Sequence, residues 1–144
     1  MLTFRFDLTP ASRGRSSIDA MLTRYSLTLP FPPSLNRAYR AVAGRVVLSK
    51  AARQYGVAVR NALPAGRVER IAGRLRVVVT VHPPARLVGR TWDVANREKL
   101  LSDALTKAAF WCDDSQIDSF RVDRGEFLDA HPKGCAFVDV ELIS

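Results

Sequence analysis

Two hydrophobic periodicities run along this chain and divide it into elements. Tyr25-Ser26-Leu27-Thr28-Leu29 alternates with a period of two, as does the run from Arg74 to Val81, where Leu75, Val77, Val79 and Val81 fall on one side. Ala136, Val138, Val140 and Leu142 share one face of a stretch from Cys135 to Leu142. These patterns predict β-strands, and a fourth strand is expected near Ile117–Asp123. A helical period appears where Leu101, Ala104, Leu105 and Ala108 stand at i, i+3, i+4 and i+7, which predicts a helix over about Ala95 to Ala109. Ser49 is placed as the N-cap of an earlier helix from Lys50 to Leu63, which Pro64-Ala65-Gly66 ends.

Punctuation between the elements agrees with this division. Pro30, Pro32 and Pro33 stop the first strand and hold the chain extended through Ser34-Leu35-Asn36-Arg37, and Pro83-Pro84 stops the second. Four strands and two helices predict a single α+β domain over residues 21–144, with a four-stranded sheet and both helices packed on one face. Residues 1–20 mix Ser, Arg, Gly and Thr without period and read as a flexible extension before a fresh start at Met21.

Composition narrows the function. With 144 residues, 47% of them hydrophobic, one core is feasible. No stretch approaches eighteen apolar residues, so no membrane-spanning helix is expected, and the start does not read as a secretory signal. Two cysteines, Cys112 and Cys135, are too few for a disulfide framework and suit a reducing cytoplasm as small core residues. With His82 and His131 they show none of the usual zinc spacings.

The net charge is +8, and it is unevenly spread. From Met21 to Arg90 thirteen Lys/Arg stand against one acid, Glu69, whereas from Thr91 to Ser144 six basic residues stand against eleven acidic ones. Most of the cations are arginine, the side chain best shaped to fork onto phosphate. A basic surface that meets a polyanion, with a separate acidic cluster, is therefore expected, the alternative being an idle solvated face.

The acids surround the second helix. Asp93 precedes it and Asp113 and Asp114 follow it, while Asn96, Lys99 and Asp103 form a polar stripe at i, i+3 and i+7. A lysine one turn from a carboxylate can steady the charge that grows on a phosphate during cleavage. The alternative for Lys99 is an i,i+4 pair with Asp103, worth a few tenths of a kcal/mol. A helix of about fifteen residues is ~22 Å long, so spacing alone does not bring Asp93 and Asp114 together.

The segment from Asp93 to Lys99 and from Asp103 to Asp114 resembles the RusA family of Holliday junction resolvases, whose motif reads D-x-D-N-x-x-K, then D-A-L-T-K-A-G-F-W-x-D-D. Upstream, Tyr25 to Ser34 and Asn36 resemble the family's Y-x-x-x-L-P-x-P-P-S-x-N. The resemblance spans about residues 21–144. It implies Mg²⁺-dependent paired nicking of four-way DNA junctions by a homodimer, in DNA recombination and repair. By position it implies Asp93, Asp114 and the adjacent Asp113 as metal-binding carboxylates, Asp93 and Asp114 being catalytic with Lys99 as the assisting cation, and Asn96, at the motif's asparagine, as a DNA contact. The second carboxylate of D-x-D-N falls on Ala95, which has no oxygen to offer. Cleavage by this chain is therefore expected to be weak or absent, with Ala95 read as an engineered knock-out in preference to a natural replacement.

Arg86 and Arg90, flanking the loop into Asp93, are the first candidates for phosphate contacts, and Arg37, Arg40 and Arg45 the second. Two competing readings remain: a relative that only holds branched DNA, which Ala95 favours, and a small basic nucleic-acid-binding module unrelated to nucleases. Phe110 and Trp111 are candidates either for a dimer contact or for the core.

Overall fold

The computed structural model describes residues 4–7, 24–64 and 69–143. Strands β1 (Phe4–Asp7), β2 (Arg24–Pro30), β5 (Leu75–His82), β6 (Ile117–Arg124) and β7 (Cys135–Leu142) make one sheet in the order β1-β2-β7-β5-β6. All neighbours are antiparallel except β5 and β6. That parallel pair requires a crossover, and helix α2 (Glu98–Lys107) lies within it. Strands β3 (Tyr39–Val42) and β4 (Arg45–Leu48) form a separate hairpin, followed by helix α1 (Lys50–Ala62).

The alternation read in the sequence is the alternation of burial. Leu27 and Leu29, the odd positions of β5 and the even positions Ala136, Val138 and Val140 of β7 are all buried. They join Tyr55 and Val59 of α1 and Leu101, Ala104 and Leu105 of α2 in one core, so both helices cover the same face of the α+β sheet. Phe110 and Trp111 are wholly buried and belong to that core, which removes them as dimer contacts. The opposite face is polar, with Ser26 donating to Asp139 at 2.7 Å and Arg76 paired with Glu141 at 3.0 Å.

Ser49 caps α1 as expected, its hydroxyl accepting from the amide of Ala52 at 3.2 Å. Four features depart from the sequence reading. Residues 4–7 of the expected extension form an edge strand on β2, while the rest of residues 1–20 and the expected start at Met21 lie outside the described residues. The β3–β4 hairpin turns at Ala43 and Gly44, with φ of 50° and 77°, as a two-residue turn of primed type requires. Cys112, expected in the core, is exposed, its thiol 3.7 Å from the carbonyl of Ile71. Cys135 is buried, and burial pushes its thiol up to about 11.

Helix α2 begins later than expected, after a 3₁₀ turn over Ala95–Arg97. It ends in a Schellman arrangement: the Phe110 amide reaches the carbonyl of Leu105 and the Ala109 amide that of Thr106, each at 3.0 Å. Ala109 therefore takes a left-handed φ of 60°, at the place where the D-A-L-T-K-A-G-F-W motif carries glycine. A Cβ in that region costs roughly 1 kcal/mol. Ala109→Gly is expected to raise stability by about that amount, moving the thermal midpoint upward by a few degrees. A calorimetric scan showing no rise would mean that the strain is relieved elsewhere.

Candidate functional site

Buried anchors set the position of Asp93. Its neighbour Trp92 is almost fully buried, edge-on to Phe31 at 5.8 Å between ring centres. Arg124 at the end of β6 lies 4.5 Å above the Trp92 ring and donates to the Trp92 carbonyl at 2.7 Å. Held by this pair, Asp93 stands exposed at the entrance to the 3₁₀ turn, and its Oδ1 accepts from the amide of Ala95 at 3.0 Å. One oxygen of Asp93 thus orders the turn, and the position beside it is Ala95, exposed and without a polar side chain.

The other acids return to the same helix by a turn. After Trp111, Asp113 starts a 3₁₀ turn over Asp114–Gln116 that packs against α2. Asp113 is its N-cap: Oδ2 accepts from the Ser115 amide at 3.2 Å, and Gln116 Oε1 accepts from the Asp113 amide at 2.8 Å. Hydrogen bonds from Ser115 hold the Asp113 carboxyl below the usual aspartate range. The stability they add is present above the unfolded value and is lost as pH falls through the folded one. Asp114 is exposed and directs its field onto Lys99.

Lys99 donates to Asp103 Oδ1 at 2.9 Å, so the i,i+4 pair forms. The Asp103 hydrogen bond and charge, then Asp114 and Tyr39, hold the ammonium above the ordinary lysine range. Its stabilising share is present below the unfolded lysine value and is lost as pH rises through the folded one. At neutral pH Lys99 is therefore a fixed cation and cannot accept a proton. Asn96 lies in the 3₁₀ turn between Asp93 and Lys99.

Among the described residues no three His, Cys, Asp or Glu side chains gather as a metal cluster. Asp93, before α2, and Asp114, on the turn packed against α2, each offer hard carboxylate oxygens; the field of Asp93 reaches Arg97 and that of Asp114 reaches Lys99. Two carboxylates completed by water and phosphate suit Mg²⁺, which is commonly held by one or two such groups.

A cleft of about 450 Å³ opens beside Asp93, between the segment after β2 and the loop before α2. Arg37 and Arg86, both expected to meet phosphate, line it, together with Asn36 and a residue the sequence reading passed over, Arg97. The signal for Arg97 was present: it stands four residues before Leu101, at the head of the apolar stripe of α2, where a cation becomes partly buried. Arg90 is exposed on the loop into Asp93 and does not line the cleft. Arg40 and Arg45 belong to the exposed hairpin, whose first residue Tyr39 lies within the field of Lys99.

Residues 30–138 match the family described as Endodeoxyribonuclease RusA. The chain belongs to the RusA family. It is 37% identical over 102 residues to proteins named Crossover junction endodeoxyribonuclease RusA from Shigella sonnei (strain Ss046) and Escherichia coli (strain K12), covering 70% of this chain and 82% of each relative. The protein of that name from Enterobacteria phage 82 is 36% identical over the same span. The matched region contains the candidate residues just described, from Asn36 to Asp114, and leaves β1 outside it.

Proposed function

We propose that this RusA-family chain is a structure-selective endodeoxyribonuclease of Holliday junctions in DNA recombination and repair, working as a homodimer with Mg²⁺ and impaired by Ala95. Two observations support the reading: the Asp93 carboxylate accepts from the Ala95 amide just before α2, and the charge of Asp114, on the turn that packs against α2, acts on Lys99. Asp93 and Asp114 would hold the cation, which supplies charge neutralisation at phosphate and a more acidic bound water. Lys99, fixed as an ammonium by Asp103 and Asp114, would balance negative charge developing on the phosphate. Asp113 serves as the cap that aims the Asp114 turn, and its oxygens are engaged in doing so. Arg37, Arg40, Arg86, Arg90 and Asn96 would contact the sugar–phosphate backbone, which positions a protein without reading bases. A two-fold dimer would present two such sites to a roughly two-fold junction, matching paired nicks.

The reading is tested by binding a synthetic four-way junction across a salt series. Log affinity should fall against log salt with a slope of about −0.9 per duplex phosphate neutralised, hence about −3 or steeper for several arginines. A slope near zero would exclude a DNA partner. Ala95 also favours a second reading, in which the chain holds branched DNA without cutting it. There the salt slope is the same, and no divalent cation supports nicking.

A further inference from the structure

We propose that Arg37, Arg86 and Arg97 form a phosphodiester-binding subsite in the cleft beside Asp93, holding the DNA strand next to the bond that is cut. The inference rests on the nucleic-acid reading above and adds to it a defined pocket and a residue, Arg97, that takes part in no other assigned role.

Three guanidinium groups share one cleft, and among the described residues no carboxylate lines it. Arg97 is tied at one edge, where Nη1 donates to the Pro32 carbonyl at 2.8 Å and the guanidinium carbon lies 4.5 Å from the Phe31 ring centre. Its Nε is buried and has no hydrogen-bond partner among the described residues. A buried donor without an acceptor costs stability, and a guanidinium has five donors to satisfy. Burial, followed by repulsion from Arg86 and Arg37, works against the charge of Arg97, and Asp93 offsets this only in part. Arg97 is therefore under-satisfied: a partly buried guanidinium with one donor unpaired among the described residues, its charge opposed by the exposed Arg37 and Arg86. An anion inserted between them would remove the repulsion and engage the free donors.

Shape and neighbours select the class of anion. Guanidinium forks match phosphate oxygens by paired hydrogen bonds. Ser34, Asn36 and Thr91 add neutral polar edges, as a sugar–phosphate strand would require. At about 450 Å³ the cleft is far larger than one ion and is open along a surface, which fits a passing strand. Arg97 follows Asp93 by four residues, so a strand held here runs directly past the candidate catalytic turn.

Two measurements on the full chain test the subsite: the thermal unfolding midpoint in sodium phosphate against sodium chloride at matched ionic strength, and four-way junction affinity. Variants are Arg86→Gln, Arg97→Gln and, as a control outside the cleft, Arg60→Gln. Phosphate should raise the midpoint of the parent and of Arg60→Gln, and much less that of the cleft variants. Junction affinity should fall about tenfold or more for Arg86→Gln and for Arg97→Gln, the scale of a lost charge-assisted hydrogen bond, and by about twofold or less for Arg60→Gln. Because Arg97 also touches Phe31 and Pro32, a poorly folded Arg97→Gln leaves the decision to the exposed Arg86→Gln. Cleft variants that bind junctions as tightly as Arg60→Gln would overturn the subsite while leaving junction binding in place. If the parent itself binds no junction, the nuclease reading falls; a phosphate-specific shift lost in Arg86→Gln then still supports the anion site, and its absence overturns it.

Discussion

Ala95→Asp is expected to raise Mg²⁺-dependent nicking of a four-way junction by about a hundredfold or more. The amide of residue 95 already binds the Asp93 carboxylate, so a side chain at this position leaves from the same turn as the first candidate ligand. A carboxylate there supplies a further hard oxygen donor, and even outer-shell partners of a metal change affinity or activity by roughly 10- to 100-fold. The substitution also places an acid at the start of a helix, where the exposed N–H groups favour it. Without Mg²⁺ the added negative charge should weaken junction binding, because like charges near a phosphate repel; with Mg²⁺ that loss should be recovered. In the same background Lys99→Met should remove most of the regained activity while leaving the fold intact, since the Lys99–Asp103 pair is half exposed. An Ala95→Asp chain that cuts no better than its parent would show that the catalytic assignment is wrong.

Trp111→Ala is expected to cost about 3–5 kcal/mol, which is most of the stability of many domains of this size. The indole is wholly buried, edge-on to Phe110 at 5.8 Å, and its Nε1 donates to Thr106 Oγ1 at 2.7 Å. Thr106 in turn donates to the Ser102 carbonyl at 3.0 Å, so the ring is fastened to the last turns of α2. Trp111 also bridges Ile71, which closes the crossover onto the segment before β5. Truncation would leave a cavity and take from the Thr106 hydroxyl the one bond it accepts, next to the turn that carries Asp113 and Asp114. Urea unfolding should therefore show a much lower midpoint for Trp111→Ala, and Trp111→Phe should lose only part of that difference. Equal midpoints for Trp111→Ala and the parent would contradict the packing described.

The periodicities carried the fold because this sheet is buried on one face only. Leu75 to Val81 had to alternate for that reason, and the stripe from Leu101 to Ala108 had to follow the helical turn. The β3–β4 hairpin left no such trace, because neither face of Tyr39–Val42 is buried and Ala43-Gly44 is a weak turn signal. Residues 4–7 were hidden for a related reason: a four-residue edge strand has too few positions to establish a period. At the candidate site, residue types singled out Asp93, Lys99 and Asp114, whereas the placement of Asp114 against α2 depends on a turn capped by Asp113 after the buried Trp111. Arg97 was overlooked because a cation at the head of an apolar stripe looks like an interruption until the chain from Pro32 to Arg37 is folded over it.

Asp93 and Asp114 are proposed to hold one divalent cation between them. A Mn²⁺ titration followed by electron paramagnetic resonance, on the parent chain and on Asp93→Asn and Asp114→Asn, tests it most directly. About one Mn²⁺ per chain is expected for the parent, with loss of that site in each single variant. Mn²⁺ binding that survives both substitutions unchanged would contradict it.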